Sequence, residues 1–79
     1  MNFNDMKIFV TIYETKSINK SSKILQYAQS NLSARLKVIE TELGCKLFLR
    51  NYNGLVPTEK GDLFYQFCKE TSNNLENLK

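Results

Sequence analysis

Apolar residues near the amino terminus recur at helical spacing and predict a first helix over about residues 4–14. Asn4 or Asp5 is the candidate cap of its first turn, because a short side-chain oxygen accepts from an amide that the helix itself leaves unpaired. The apolar face that this spacing creates is interpreted as core. It consists of Met6, Phe9, Val10 and Tyr13, with Ile12 at its border.

Two more helices follow, separated by a tight turn. Ser17 is a good amino-terminal cap for a short second helix, in which Ser21 and Ser22 are small enough to let a crossing helix approach closely. The third helix, over about residues 29–42, has the most regular pattern in the chain, and Gly44 supplies its stop. Its apolar stripe recurs at i, i+4, i+7 and i+11 and consists of Leu32, Leu36, Ile39 and Leu43.

The side of the third helix opposite that stripe carries short polar groups and no acid before Glu40. Small hydrogen-bonding side chains near the start of a helix are suited to approach base edges and phosphates closely. A solvated surface is the alternative, although such a face more often carries long side chains of both charges. We therefore expect this side to be free to lie against a duplex. Its residues are Ser30, Ser33, Ala34, Lys37 and Thr41.

Beyond residue 46 the apolar residues recur at the shorter period that is typical of strands. The segments 47–50 and 55–56 flank Asn51-Tyr52-Asn53-Gly54, in which Asn-Gly is a strong hairpin signal. A hairpin of this size is not stable alone and is expected to lean on the helices. Thr58 then caps a last helix that runs to the end of the chain. The apolar stripe of that helix consists of Phe64, Phe67, Cys68, Thr71, Leu75 and Leu78.

These elements predict a mainly α protein, a winged helix-turn-helix of three helices and a two-stranded wing, followed by a long linker helix. The wing is expected over about residues 47–57. Residues 59–79 form the linker helix, whose second half would project beyond the core. An apolar stripe on a projecting helix usually needs a partner, so we predict dimerisation, with a frayed tail as the alternative. The predicted dimer contacts are Phe67, Thr71, Leu75 and Leu78.

Composition excludes several classes of function. A chain of 79 residues holds one small domain, and no apolar run approaches the ~20 residues that a membrane span needs. The first ten residues carry polar groups where a secretory signal needs an apolar stretch, so a cytoplasmic protein is expected. Without histidine and with only two cysteines, the chain has neither the ligands of a four-ligand zinc site nor a Ser-His or Cys-His nucleophile. We therefore expect neither an enzyme nor a bound cofactor or metal.

Positive charge is concentrated in the middle of the chain. Residues 16–50 hold seven basic side chains against two acidic ones, within a net charge of +3, so the two ends are mildly acidic. A basic middle suits a polyanion such as nucleic acid. Binding of RNA or single strands would need an exposed aromatic platform, and most Phe and Tyr residues here fall on core stripes. Double-stranded DNA is therefore the expected partner.

Two strings, ELGxxLFxR over residues 42–50 and PTExG over residues 57–61, are much more specific than a generic helix-turn-helix pattern. Together with other positions they make residues 1–58 resemble the N-terminal DNA-binding domain of LysR-type transcriptional regulators, with a gapless match through Gly61. The positions that carry the resemblance are Phe9, Ser17-Ile18, Leu25, Gln29, Leu32-Ser33, Leu36, Glu40, Glu42-Leu43-Gly44, Leu47-Phe48, Arg50, Gly54 and Pro57-Thr58-Glu59 with Gly61.

The resemblance implies a sequence-specific bacterial transcription regulator. Its winged DNA-binding domain would cover residues 1–58, with the helix-turn-helix over about 18–37. Such proteins typically bind promoters at imperfect inverted repeats, as homodimers or higher oligomers joined through the linker helix that here begins at Thr58. A domain that binds a small-molecule effector normally follows the linker. This chain stops before that domain, so it looks like a truncated fragment in which small-molecule sensing is absent.

The resemblance also implies roles for single residues. Gln29 matches a position that the family uses for base readout, and Ser33 matches a position that commonly contacts DNA. Arg50 matches a wing arginine that meets phosphate in relatives. We expect base contacts from Gln29, Ser30, Asn31 and Ser33. We expect phosphate contacts from Ser17, Lys20, Arg35, Lys37, Arg50 and Asn53.

The chain departs from the family pattern in four places. Ala28 stands where the family usually has a serine cap, which leaves Ser30 or the turn backbone to satisfy the first amides of the third helix. Asn53 stands where many relatives carry Arg. The other departures are Ser30-Asn31 in place of Pro-Ala, and Ala34 in place of a frequent basic residue, for which Arg35 is expected to substitute.

The alternative function is a protein-interaction module that uses the stripe from Phe64 to Leu78 and binds no DNA. The basic middle of the chain and the polar outward face of the third helix favour DNA binding instead. A salt-dependent shift of random duplexes separates the two functions, because a module that only binds protein should produce none.

Overall fold

The computed structural model describes residues 1–78, with side chains through Asn73. The winged helix-turn-helix that the pattern predicts is confirmed, and a fourth helix follows it. The elements, in chain order, are α1 (Phe3–Thr15), α2 (Ile18–Leu25), α3 (Gln29–Leu43), β1 (Phe48–Asn51), β2 (Gly54–Pro57) and α4 (Glu59–Leu78).

Helix α1 begins one residue earlier than predicted, and its cap is neither Asn4 nor Asp5. Asn2 is the cap: its side chain accepts from the amide of Asp5 at 2.8 Å, and the Asp5 carboxylate accepts in return from the amide of Asn2 at 3.3 Å. This reciprocal pair satisfies two amides that the first turn leaves open. Asp5 therefore lies inside the first turn, where its side chain is 2% exposed.

The turns that bracket α2 place it tightly against α1. Ser17 caps α2 as predicted, since its hydroxyl oxygen accepts from the amide of Lys20 at 3.1 Å. Ser21 is completely buried, and its hydroxyl lies 2.8 Å from that of Thr15. The small serine thus provides the close helix approach expected of it. Gln26, in the left-handed region at φ 61°, ends α2 and begins the tight turn to α3.

Phe9 lies at the centre of the core. Its ring centroid is 4.7 Å from that of Phe64 on α4 and 5.5 Å from that of Phe48 on β1, so α1 joins the wing to the last helix. The stripe of α3 is buried except at its end: Leu43, predicted as core, is 40% exposed. The last turn of α3 extends to the surface, where Leu43 lines a shallow groove with Leu63. The buried apolar residues are Ile8, Phe9, Ile12, Leu32, Leu36, Ile39, Leu47, Phe48, Leu55, Phe64 and Cys68.

The wing is an antiparallel hairpin that leans on the helices, as expected. Its two-residue turn consists of Tyr52 and Asn53, inside the predicted segment 51–54, and Gly54 already pairs with Asn51. Gly54 has φ +119°, and a Cβ there would lie 3.1 Å from the carbonyl oxygen of Lys16. That carbonyl accepts from the amide of Leu55 at 3.3 Å and ties the wing to the end of α1.

The base of the wing, α3 and α4 meet at the backbone of Leu47, which is 0% exposed. The Glu40 carboxylate accepts from the amides of Leu47 at 2.7 Å and Phe48 at 3.3 Å. The Leu47 carbonyl accepts from the amide of Thr58 at 3.0 Å, and a Cβ on Gly61 would lie 2.2 Å from the same oxygen. We call this meeting point of Glu40, Leu47, Thr58 and Gly61 the wing joint.

Helix α4 begins as predicted and packs its first half on α1. The Thr58 hydroxyl caps it by accepting from the amide of Gly61 at 3.0 Å, and donates to the carbonyl of Lys46 at 2.6 Å. The rings of Tyr13 and Tyr65 stack with centroids 3.9 Å apart. Through residue 78, no helix combines the length and the apolar character that crossing a membrane requires.

The predicted apolar stripe of α4 divides into two sides. Phe64 and Cys68 are buried against the domain, whereas Phe67 is 54% exposed. Thr71 is half-buried, and its hydroxyl donates to the carbonyl of Phe67. The side chains of Leu75 and Leu78 lie outside the described residues.

Candidate nucleic-acid interface

The first turn of α3 presents its side chains to solvent. Gln29, Ser30 and Asn31, the first three residues of the helix, are all exposed. No side chain caps this helix at Ala28; the Ala28 carbonyl instead accepts from the amides of Asn31 and Leu32, each at 3.1 Å. The positive end of the helix dipole is therefore not covered by a capping side chain.

A cleft between α3 and the wing brings together three of the predicted contact residues. Ser33, Lys37 and Arg50 all line it, although Arg50 lies on β1, beyond the turn that follows α3. Strand register explains the meeting, because Arg50 pairs directly with Leu55 and lies on the same face of the hairpin as buried Phe48. Ser33 is half-buried and Lys37 is exposed.

The remaining predicted phosphate contacts stand on separate elements. Ser17 is half-buried at the start of α2, and Lys20 is exposed one turn later. Asn53 is exposed in the wing turn, where its amide donates to the side chain of Asn51 at 2.8 Å. The structure thus places the predicted contact residues at the start of α2, on the outward face of α3 and on the wing.

Arg35, predicted as a phosphate contact, pairs with the Asp5 carboxylate on α1 in this structure. Its Nε donates to Asp5 Oδ1 at 2.9 Å, and a terminal nitrogen donates to Asp5 Oδ2 at 2.5 Å. The hydrogen bonds from Arg35, helped by the amide of Asn2, lower the pKa of Asp5 despite the opposing effect of burial. Because this fork-shaped contact commits the guanidinium to α1, the proposed phosphate set excludes Arg35.

Two residues of the interface escaped the sequence reasoning. Lys46 lines the cleft beside Arg50, and its ammonium lies 3.9 Å from the carboxylate of Glu40. Glu40 itself holds the base of the wing against α3 through the wing joint. A signal for Glu40 was present, since it is one of the positions that carry the family resemblance. Nothing in the periodicity marks Lys46, because it lies between two elements.

The described residues offer little chemistry beyond binding. Among them no group of three or more His, Cys, Asp or Glu side chains is placed to hold a metal ion. Burial raises the pKa of the Cys68 thiol to about 11, so this sulfur stays protonated and inert at neutral pH. What the arrangement can do is present polar and basic groups from α2, α3 and the wing to a polyanion.

Comparison with known sequences identifies relatives along the whole chain. The family described as bacterial regulatory helix-turn-helix proteins of the lysR family matches residues 3–62. The HTH-type transcriptional regulator CzcR of Bacillus cereus is 32% identical over all 79 residues. The HTH-type transcriptional activator IlvY of Haemophilus influenzae is 34% identical over the same span. The chain spans 27% of the length of each of these proteins.

Comparison with solved structures points to the same fold. The DNA-binding domain of BenM, in a crystal structure with catB site 1 DNA, superposes with a TM-score of 0.91 at 29% identity. That match covers 99% of this chain and 88% of the other. The DNA-binding domain of CbnR, in a complex with DNA, superposes with a TM-score of 0.90 over 98% of this chain and 88% of that one. At 22% identity, the second match supports the fold alone.

Proposed function

This chain belongs to the LysR family of bacterial regulatory helix-turn-helix proteins, and we propose that it binds double-stranded DNA sequence-specifically as the reading part of a transcription regulator. Helix α3 would lie in the major groove and the wing would lie on the adjacent backbone. The family consists of regulators and not of enzymes, in keeping with the absence of histidine from the sequence. Such a regulator acts where the bacterial chromosome is, in the cytoplasm.

The observation that carries the proposal is the shared cleft of α3 and the wing. Ser33 and Lys37 come from the helix and Arg50 from the hairpin, and all three line one concave surface. The exposed first turn of α3 adds Gln29, whose amide group can pair with adenine in two hydrogen bonds. The cleft and the first turn of α3 thus combine short groups suited to base edges with basic groups suited to phosphates. The BenM domain, 29% identical over nearly all of this chain, was solved in a complex with DNA, and this supports DNA as the partner.

The whole regulator is proposed to act as a homodimer on an imperfect inverted repeat, with higher oligomers in a longer protein. Exposed Phe67, with Thr71 one turn later, supports pairing along α4. The relatives are about four times longer than this chain, so a small-molecule effector would act through a domain that follows α4.

Selection of bound duplexes from a random pool tests the proposed function. We expect an enriched motif with two related half-sites, and an affinity for random DNA that falls steeply with salt. A protein-interaction module that binds no DNA would enrich nothing and would show no salt-dependent shift. That result would contradict the proposal.

Replacing Gln29 with alanine is expected to weaken binding to the selected site by about 1–3 kcal/mol, because the paired hydrogen bonds to one base are lost. The loss of binding free energy should be much smaller on random duplexes. Fluorescence anisotropy on both kinds of duplex measures the difference, and Gln66→Ala, at an exposed position on α4, is the matched control. An equal loss on selected and random duplexes would remove Gln29 from the base-reading set.

Replacing Arg50 with alanine is expected to weaken binding to all duplexes similarly, because a phosphate contact carries no sequence information. The slope of log affinity against log salt should fall by about one. Lys69→Ala is the matched control, since it removes one positive charge from α4 on the side that faces Glu14. A salt slope that stays the same in the Arg50 variant would contradict the phosphate assignment.

Replacing Phe67 with aspartate is expected to convert the proposed dimer into a folded monomer. A charge on the exposed apolar side of α4 would have to be buried in the pair, whereas the monomer leaves it in water. Sedimentation equilibrium measures the mass. Ser72→Asp is the matched control, because it adds the same charge at another exposed position of α4. A Phe67 variant that keeps the mass of a dimer would exclude this side of α4 as the interface.

A further inference from the structure

Four side chains at the surface join α1 to α4 over the segment 62–65. Tyr13 Oη donates to Asp62 Oδ1 at 2.7 Å, and Tyr65 Oη donates to Glu14 Oε2 at 2.6 Å. Each helix thus supplies one tyrosine and one carboxylate, and the two hydrogen bonds run in opposite directions between the helices. We call the group of Tyr13, Glu14, Asp62 and Tyr65 the tyrosine clamp.

The two rings of the tyrosine clamp lie parallel to each other. Their centroids are 3.9 Å apart and their planes differ by 8°. Both tyrosines are half-buried, whereas both carboxylates are exposed. A stack alone would let the rings slide over one another, but hydrogen bonds to charged acceptors are short and directional. The stack and the two crossed hydrogen bonds together oppose both sliding and rotation of α4 on α1.

The hydroxyls of the clamp stay protonated at neutral pH, so they remain donors. The hydrogen bond to Glu14 raises the pKa of Tyr65 to about 12, and desolvation adds to this effect. The hydrogen bond to Asp62 likewise raises the pKa of Tyr13. Both hydrogen bonds are therefore present under the conditions in which the protein would bind DNA.

The other contacts of α4 with the domain do not fix its direction in this way. Phe9 and Phe64 meet in the core with ring centroids 4.7 Å apart, but apolar contacts of this kind are non-directional. The wing joint holds only the start of α4, at Thr58 and Gly61. A helix that is held at its first turn can tilt about that turn unless a point further along is also held. The tyrosine clamp supplies this second point.

The part of α4 beyond the clamp is long enough to amplify a small tilt. From Tyr65 to Leu78 the helix extends by about 20 Å, at a rise of ~1.5 Å per residue. A tilt of about 10° at the clamp would move the far end by about 3–4 Å. This displacement is close to the rise of one base pair, which is about 3.4 Å.

Resting on the proposed function, we infer that the tyrosine clamp sets the direction of α4 and thereby the half-site spacing that the proposed homodimer accepts. The two clamps of the dimer hold both long helices at one angle to the DNA-binding surfaces. An operator whose spacing fits this angle is bound through both half-sites, whereas one base pair more or less strains one of the two contacts. Tyr13 and Tyr65 are thus positioning residues, which act through α4 and not through a contact with DNA.

The first measurement is the orientation of α4 in the protein without DNA. Residual dipolar couplings of backbone amides report the angle between α3 and residues 66–73 of α4. The double variant Tyr13→Phe/Tyr65→Phe removes both hydroxyls but keeps both rings, so the fold should be retained. We expect the fitted angle to change by about 10°, which lies within the scatter of one class of helix packing.

The second measurement is the affinity for duplexes whose half-sites lie at the selected spacing, or one base pair closer or further apart. The unaltered protein should prefer the selected spacing about tenfold, and the double variant should lower this ratio to about twofold. Affinity for a duplex with a single half-site should stay within about twofold, because the groups proposed to face DNA are unaltered.

Tyr27→Phe is the matched control for both measurements. It also removes a tyrosine hydroxyl, but the partner of that hydroxyl is Asn4 on α1 and not a group on α4. The angle of α4 and the spacing ratio should therefore stay as in the unaltered protein. The same change in this control as in the double variant would contradict the role of the clamp.

The outcomes distinguish this inference from the proposed function. An unchanged angle in the double variant, or an unchanged spacing ratio, would overturn the role of the clamp and leave DNA binding through α3 intact. The same holds if the unaltered protein binds all spacings equally well. Failure of the unaltered protein to bind any duplex would overturn both.

Discussion

Replacing Gly61 with alanine should destabilise the protein by about 3 kcal/mol, although alanine is the better helix former. The added Cβ would lie 2.2 Å from the carbonyl oxygen of Leu47. This oxygen belongs to backbone and also accepts the hydrogen bond from Thr58, so it cannot swing aside as a flexible side chain would. Relief of the overlap requires α4 to move away from the base of the wing. In a domain this small, such a loss is a large part of the total stability.

Urea unfolding followed by circular dichroism measures this loss. Gly44→Ala is the matched control, because a Cβ at Gly44 meets no atom within 4 Å and the change costs only the left-handed φ of +73°. We expect the control to lose about 1 kcal/mol. A Gly61 variant as stable as the Gly44 variant, or more stable, would show that α4 and the wing are not in the close contact described.

Replacing Glu40 with alanine should destabilise the protein by about 2–3 kcal/mol and weaken DNA binding beyond that loss of stability. The carboxylate accepts from two backbone amides at the start of β1, those of Leu47 and Phe48. Both donors lose their charged partner when the side chain is shortened. The wing is then less firmly held against α3, and the cleft that joins Arg50 to Ser33 loses its fixed shape.

Amide hydrogen exchange at Leu47 and Phe48, with the urea midpoint, checks this expectation. Glu40→Gln keeps one acceptor oxygen and should fall between alanine and the original. Glu42→Ala removes an exposed carboxylate two residues further on, whose partner is the amino terminus at 2.7 Å, and should cost less than about 0.5 kcal/mol. If the Glu40 and Glu42 variants behave alike, the wing is not held by Glu40.

The wing joint gives a physical reason for part of the family resemblance. Leu47, Thr58 and Gly61 belong to the quoted strings, and Glu40 is another of the matching positions. These residues lie apart in the chain, yet they meet at one backbone unit. A pattern that looked like a signature in the sequence is thus the set of groups that fixes α3, the wing and α4 relative to one another.

Elements governed by local chemistry were predictable from the sequence. The hydroxyls of Ser17 and Thr58 cap the helices that follow them, and Gly44 ends α3 in the left-handed region. The helical spacing of Leu32, Leu36 and Ile39 identified the buried side of α3. It therefore also identified the opposite side as the one that faces away from the core. Capping and amphipathic periodicity act over one or two turns, which is the range that a single sequence displays.

Interactions between distant segments were not predictable. Asp5 and Arg35 lie 30 positions apart, and nothing local indicates that the arginine pairs with a carboxylate on α1. The exposure of Leu43 depends on where α3 passes beyond its neighbours, which periodicity does not contain. The pattern placed the hairpin turn within residues 51–54, but the register of the strands depends on their pairing and on the contact of Gly54 with Lys16.

The wing joint also bears on the DNA that a pair of such chains can accept. Because α4 is fixed to the base of the wing, no flexible joint separates α4 from the proposed DNA-binding surface of α3 and the wing. In a pair joined along α4, the angle at which the two long helices cross sets the span between the two α3 helices. Half-sites one helical turn apart are separated by about 34–36 Å. Curvature of the operator, more than hinge motion in the protein, would then absorb any mismatch in spacing.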